Sequence, residues 1–255
     1  MMKKAHVEYQ GQRKTILSKD GINWVDEAGA AIDVQRVSWL PPASGSLVGL
    51  AVNTARHADE VEMELPENPV LYYKLPNTLI GHKDVIQRPE QIKWLTPQAE
   101  LVVVIGKPAY RVTKADALGH VEGYTILNGV TAQDYVNKYY RPPVKAKSFD
   151  GTGPIGPWIV SADEVGNPDE LVVTTRINDE VISIGSTADY KHSVADAITW
   201  ISSFMTLRAG DMIAMGTPCA LAELNEGDLV EIEIEKVGKL ENTVVNEMMF
   251  YQLKK

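Results

Sequence analysis

Cysteine is almost absent: the 255-residue chain has one, Cys219. A single thiol excludes an internal disulfide framework and any cysteine-cluster zinc site. Basic residues are outnumbered, 25 Lys and Arg against 34 Asp and Glu, which leaves a net charge of −9. That balance argues against non-specific nucleic-acid binding, which runs on basic patches. Long apolar runs are missing too. The run at 101–105 is far too short to cross a bilayer, so no membrane partner is expected. Lys3 and Lys4 are followed by no apolar stretch, so no secretory leader is expected and the chain reads as cytoplasmic. Motif absences narrow the chemistry. Without Gly-x-x-x-x-Gly-Lys-Ser/Thr there is no phosphate-binding loop. Without His-Glu-x-x-His or Gly-x-Ser-x-Gly, the common zinc protease and serine hydrolase sites have no candidate.

What is present is the composition of an ordered protein. Hydrophobic residues make up 44% and charged residues 23%. A chain of this length buries roughly 70–75% of its unfolded surface and needs no covalent or metal staple. Residues 1–45 read as a small N-terminal β unit, with strand-like runs at 5–9 and 22–25. Trp39-Leu-Pro-Pro-Ala-Ser-Gly45 reads as a linker, because paired prolines and a glycine stop regular structure. Residues 46–255 then form the main domain. Short apolar runs at 47–52, 70–74 and 101–105 are of the buried-strand type. Val230, Ile232 and Ile234 alternate with glutamates, which predicts a strand with one face in water. Asn178 and Asp179 tolerate positive φ and predict a hairpin turn. Thr113/Asp116 and Ser193/Asp196 have the spacing of helix N-terminal caps. The second precedes an apolar stripe, Val194, Ile198, Ile201 and Met205. The sum is an α+β, β-rich fold without the regular alternation of a doubly wound sheet.

Three segments carry chemistry, and each also has a plain structural reading. His57 and Glu60 are three apart, so a helical turn places imidazole and carboxylate on one face. Glu60 then orients His57 and raises its basicity, as suits a general base; otherwise the segment is a solvated, acid-rich helix start. Gly151-Thr-Gly-Pro-Ile-Gly-Pro-Trp158 follows Lys147 closely. It is either a loop whose amides approach an anion, with Gly153 and Gly156 closest, or a rigid surface turn. Lys74-Leu-Pro-Asn-Thr78 has the same ambiguity. Cys219 reads as a buried structural thiol.

Taken in order, these blocks resemble the fumarylacetoacetate hydrolase superfamily. The resemblance is carried by Asn53-x-x-x-His57-x-x-Glu60, Tyr73-Lys-Leu-Pro-Asn-Thr78, Ala99-Glu-Leu-Val-Val-Val-Ile-Gly106 and Gly123-Tyr-Thr. It continues through Lys147-Ser-Phe-Asp, Gly153-Pro-Ile-Gly-Pro-Trp158 and Gly210-Asp-Met-Ile-Ala-Met-Gly-Thr-Pro218. Trp39-Leu-Pro-Pro, Asp134-Tyr, Tyr139-Tyr-Arg-Pro142 and Phe204-Met-Thr-Leu are similar to its isomerase/decarboxylase branch. That branch acts on 2-oxo (2-hydroxydienoic) di- and tricarboxylates from aromatic meta-cleavage.

The resemblance implies a mixed β-roll, usually dimeric, with Mg²⁺ or Mn²⁺ held by three carboxylates. It also implies His57 and Glu60 as the acid/base pair, Lys147 as an active-site lysine and Thr217 in the pocket wall. Two metal positions depart from the pattern. The Glu-x-Glu pair reads Gln98-Ala-Glu100, and Asn-Asp reads Asn128-Gly129. Of the three carboxylates only Glu100 remains, so weak or absent metal binding is expected. Lys147, Lys74 and the amides near Gly153 and Gly156 are then the donors left to stabilise an enolate. Three functions follow: an isomerase/decarboxylase, an inactive partner subunit of an active paralogue, or a module that binds a 2-oxo acid without turnover. The assembly expected is a homodimer, or a heteromer with that paralogue.

Overall fold

The computed structural model describes residues 2–136 and 143–253, so Tyr139-Tyr-Arg-Pro142 lies outside the described residues. Among the described residues, twelve strands form one mixed sheet. Its central path runs Lys3–Tyr9, Gly153–Ser161, Val121–Asn128, Ala99–Ile105, Met212–Ala214, Leu47–Ala51 and Val70–Lys74. Five further strands form a second sheet, in the order Glu180–Ser186, Val172–Ile177, Leu229–Ile234, Gly238–Asn246 and Val85–Arg88. Five short α-helices, five 3-10 turns and a two-stranded pair, Leu95–Thr96 with Thr131–Ala132, complete the described chain, so the α+β, β-rich reading holds. No helix among the described residues is long and apolar enough to cross a membrane.

The centre of the large sheet explains the apolar run at 101–105. Leu101, Val103 and Ile105 point to the core shared with the second sheet and the Val194–Ser202 helix. Val102 and Val104 point the other way, onto Leu47, Leu127, Ile155 and Met212. A strand covered on both faces needs apolar side chains at every position, so it shows no alternation. Gln98 and Glu100 share the face of Val102 by the two-residue period, which fixes where their polar ends go. Met212–Ala214 is slotted between two strands made much earlier in the chain. It runs parallel to Leu47–Ala51 and antiparallel to Ala99–Ile105.

Several local expectations meet their physical cause. The Val70–Lys74 strand has the expected bounds. Asn178 and Asp179 have φ of 52° and 66° and join Val172–Ile177 to Glu180–Ser186. Ser193 caps the Val194–Ser202 helix in a reciprocal box with Asp196. Thr113 and Asp116 also bond to each other, but they lead into a short 3-10 turn, Ala117–His120. The Leu229–Ile234 strand differs from its expected wet face at one position. Glu231 is buried and pairs with Lys239, which lies diagonally across on the neighbouring strand, opposite Glu233. The leading residues extend the large sheet through Lys3↔Val160 and Lys4↔Ile159. Trp39 and Leu40 of the expected linker belong instead to the strand Ser38–Leu40, which pairs with Lys3–Tyr9. There Trp39 packs against Trp24 and Trp158, with ring centroids 5.7 and 6.1 Å away.

Candidate active site

The Leu47–Ala51 strand ends at Val52, whose φ is 55°. A β-branched residue there is strained by roughly 1–3 kcal/mol, so the turn must be held from outside. Asn53 holds it: its amide donates to Met215 O at 2.9 Å and His192 O at 3.1 Å, and its Oδ1 accepts from His192 N. Thr54 then caps the Ala55–Glu60 helix, accepting from His57 N and donating to Thr217 O. This chain of contacts sets His57 beside the Gly216-Thr217 turn.

His57 and Lys147 both line a cavity of about 700 Å³, with Tyr72, Gln98, Thr131, Gln133, Gly216 and Thr217 among its other walls. Val61, Met63, Val144 and Trp200 give its lining apolar members as well. A larger groove of about 1050 Å³ lies between the Gln12–Ser18 strand and residues 73–84; neither His57 nor Lys147 lines it.

The inner end of the cavity is a packed polar cluster. The Lys147 Nζ donates to Gln98 Oε1 at 2.6 Å, to Thr131 Oγ1 at 3.1 Å and to Gly129 O at 3.4 Å. It sits 4.2 Å above the Tyr72 ring, a cation–π contact. Glu100 is fully buried and lies 4.0 Å from Lys147. Its two oxygens accept from Tyr72 OH at 2.8 Å each, and Oε2 also accepts from Gly216 N at 2.9 Å. Burial pushes the Glu100 carboxyl up and the Lys147 amine down. Each charge opposes the shift of the other.

His57 differs from the expectation that Glu60 raises its basicity. Burial, and then the charge of Lys147, lower its pKa to about 4. Glu60 stands 3.9 Å from Nδ1, too far for a hydrogen bond, and Nδ1 has no hydrogen-bond partner among the described residues. The imidazole is therefore neutral at pH 7 and able to accept a proton.

Other expected site residues go elsewhere. Lys74 does not line this cavity; its amine is buried and donates to Val130 O at 2.9 Å. Gly153 and Gly156 lie not in a ligand loop but in the buried strand Gly153–Ser161. Leu79–Ile80 flanks it on one side and Val121–Asn128 on the other, so its backbone is engaged in the sheet. Gly151, Gly153 and Gly156 also have Gly-x-Gly-x-x-Gly spacing. Since the run enters a strand rather than opening a helix, it makes no dinucleotide-binding turn. Cys219 is buried, and burial pushes its thiol pKa up, in keeping with a structural thiol. Tyr72 and Thr131 are site residues that sequence reasoning missed. Tyr72 had a signal: it shares a strand face with Lys74, whereas its neighbour Tyr73 is exposed.

The residues at the expected metal position do not fit a divalent ion. Among the described residues no group of three or more His, Cys, Asp or Glu side chains converges. Gln98 offers a neutral oxygen, Gly129 only its carbonyl, and Glu100 is already committed to Tyr72 and Gly216. A hard dication wants several carboxylate or water oxygens at about 2.0–2.6 Å, and here the Lys147 amine fills the space.

A β-rich sheet pair with His57 and Lys147 deep in one cleft defines an enzyme-like pocket, and comparison with known proteins gives its family. The fumarylacetoacetate (FAA) hydrolase C-terminal model matches residues 46–245. The chain belongs to the fumarylacetoacetate hydrolase family. It is 42% identical over 241 residues to the 4-hydroxyphenylacetate degradation bifunctional isomerase/decarboxylase of Salmonella dublin. That match covers 93% of this chain but 56% of the relative, so the chain spans about half its length. It is 37% identical over 215 residues to oxaloacetate tautomerase YisK of Bacillus subtilis, covering 80% of this chain and 71% of that protein. The crystal structure of 5-carboxymethyl-2-hydroxymuconate delta-isomerase from Mycobacterium smegmatis superposes with a TM-score of 0.86. It is 30% identical, covering 96% of this chain and 99% of that one. These likenesses extend over both sheets and identify the architecture as the family's mixed β-roll.

Proposed function

We propose that this chain forms and reprotonates the enolate of a 2-oxo acid, as an isomerase or decarboxylase of di- or tricarboxylates from aromatic ring cleavage. The observation that carries this reading is the pairing of a neutral, buried His57 with the Lys147 ammonium at the inner end of one cavity. In isomerisation, the imidazole takes the proton from the carbon beside the 2-oxo group. The C–H electron pair forms the carbon–carbon double bond, and the oxygen becomes an enolate facing Lys147. Return of the proton to another carbon completes the shift. In decarboxylation, the pair of the breaking carbon–carbon bond enters the enolate as CO₂ leaves, and a proton from water, relayed by His57, ends on carbon. An anionic substrate also offsets the Lys147 charge and raises the His57 pKa toward a useful range. Thr217 lines the wall, and the apolar lining residues Val61, Met63, Val144 and Trp200 suit the dienoic chain. The relatives named as isomerase/decarboxylase and as tautomerase support this chemistry. A cytoplasmic, homodimeric enzyme is part of the proposal.

The test is proton exchange. Oxaloacetate in D₂O, followed by NMR, is expected to lose its C3 protons faster with the protein, and His57→Ala is expected to abolish the gain. No acceleration of exchange or CO₂ release with oxaloacetate or 2-hydroxyhepta-2,4-diene-1,7-dioate would end this reading.

One observation favours a second reading, as the partner subunit of a paralogue. The match covers 56% of the Salmonella relative, so that protein carries a further segment outside the part this chain resembles. Turnover only after mixing with a separately purified paralogue, and a heteromeric mass in light scattering, would support it.

A further inference from the structure

We propose that the Lys147 ammonium is this pocket's built-in replacement for the divalent cation, the fixed positive charge against which a substrate's 2-oxo and carboxylate oxygens bind. This rests on the enolate reading above and names the electrophile of that site.

The first support is position. Lys147 Nζ lies among the groups at the three expected metal positions: Gln98 Oε1 at 2.6 Å, Gly129 O at 3.4 Å and Glu100 Oε1 at 4.0 Å. Thr131 Oγ1 at 3.1 Å and the Tyr72 ring complete the nest. Every one of these groups is on a strand or directly beside one, so the nitrogen is held by rigid elements.

The second support is that the two replacements act together. A Cβ on residue 129 would stand 2.2 Å from Glu100 Oε1, so the glycine is what lets the carboxylate occupy that space. There Glu100 takes its hydrogen bonds from Tyr72 and Gly216 and stays beyond hydrogen-bond reach of Lys147. Gln98 accepts a hydrogen bond without neutralising the ammonium, whereas a glutamate there would close a buried ion pair and draw the charge away from ligand. Both substitutions leave the lysine anchored yet electrostatically available.

The third support is charge balance. Three carboxylates around a dication and a lysine come to zero, and so do one carboxylate and one lysine. The exchange removes two negative charges and one dication together. Lys74 is also buried, donating to Val130 O, and burial with the neighbouring Lys147 holds its amine well below the usual lysine range, so it adds no fixed charge to this balance. Lys147 faces Glu100 only at 4.0 Å, and a substrate carboxylate set against it supplies a closer anion, which favours carboxylate ligands over neutral ones.

Oxalate is the probe, because its planar dianion has the shape and charge of a 2-oxo acid enolate. Titration calorimetry on the full chain is expected to give the same Kd, within about twofold, in EDTA and in Mg²⁺. Lys147→Gln is expected to weaken oxalate by about 10- to 100-fold, through loss of the fixed charge against which the dianion binds. If Lys147→Gln does not fold, Gln98→Glu serves. It pairs with the ammonium and is expected to weaken oxalate about tenfold in EDTA. Oxalate binding that rises more than about tenfold with Mg²⁺, no oxalate binding in EDTA, or unchanged affinity in folded Lys147→Gln would each overturn the assignment. A borohydride-trapped adduct of oxaloacetate on Lys147 would also overturn it, by making the amine a nucleophile. The two readings separate cleanly. Metal-free oxalate binding without proton exchange removes the enolate chemistry and keeps the cation. Exchange that requires Mg²⁺ keeps the chemistry and removes the cation.

Discussion

The hydroxyl of Tyr72 lies 2.8 Å from both carboxylate oxygens of Glu100, and one donor thereby spans a buried anion. Tyr72→Phe keeps the ring beneath Lys147 but leaves the carboxylate with Gly216 N as its remaining neutral donor. Urea unfolding is expected to show a loss of about 1–3 kcal/mol, the cost of an unsatisfied buried acceptor. A loss under about 0.5 kcal/mol would mean the carboxylate finds another donor or takes up a proton.

Gly49 sits opposite Tyr72 on the adjoining strand, and a Cβ there would lie 2.2 Å from the Tyr72 ring. Gly49→Ala is expected to displace the ring and cost about 1–3 kcal/mol by overpacking. It should add little on top of Tyr72→Leu, because both remove the same support. Full additivity in the double variant would refute the shared mechanism.

Restoring the carboxylates tests the metal position from the other side. Gly129 does not have positive φ, so backbone strain is no obstacle to Gly129→Asp; the Glu100 carboxylate is. The single change is expected to push Glu100 off Tyr72 and lower stability by about 1–3 kcal/mol. Gln98→Glu with Gly129→Asp is expected to bind Mn²⁺ in calorimetry, whereas neither single change does, since the groups act on one ion. A folded double variant without Mn²⁺ affinity would show divergence beyond those two positions.

His57 and Glu60 are expected to part company in kinetics. His57→Ala should lower turnover about 10²- to 10⁴-fold, as loss of a general base does. Glu60→Gln should cost less than about tenfold, because the carboxylate does not reach Nδ1. Equal losses in both variants would restore Glu60 to a direct part in proton transfer.

His82 gives a pH test away from the cavity. Its Nδ1 accepts from Glu241 N at 3.1 Å, and burial, with Lys83 and Lys239 nearby, lowers its pKa from 6.5 to about 4. Between those values the unfolded chain binds the proton more readily, so stability rises with pH and is fully present above about 6.5. The gain from pH 5 to pH 7 is expected to be about 2 kcal/mol larger in the wild type than in His82→Gln. His57 titrates in both proteins and cancels. Equal gains would show that His82 is not held neutral by the fold.

Legibility in the sequence followed locality. The Asn178-Asp179 turn and the Ser193 cap depend on neighbours a few residues away, and both were readable. His57, Lys147 and Thr217 could be named from motif order, and the structure places all three on one cavity. What escaped depends on pairing across the sheet. Gly153 and Gly156 looked like loop residues until Val121–Asn128 and Leu79–Ile80 appeared beside them. Lys74 looked like a ligand donor, but strand alternation and the Val130 carbonyl turn it inward. The loss of carboxylates at 98 and 129 was plain in the sequence. That Glu100 fills the space beside Gly129 needs the register Ala99↔Asn128.

The late insertion of Met212–Ala214 between Leu47–Ala51 and Ala99–Ile105 has a consequence for biosynthesis. The two older strands leave the ribosome more than a hundred residues before their separator, and neither can dock finally without it. Throughout that interval the apolar faces of the Ala99–Ile105 strand stand open, and Glu100 waits for the Gly216 amide. Nascent chains arrested before residue 212 are therefore expected to be protease-sensitive and to depend on chaperones. Chains extended through residue 246, which also complete the second sheet, should acquire both sheets and the pocket in one cooperative step.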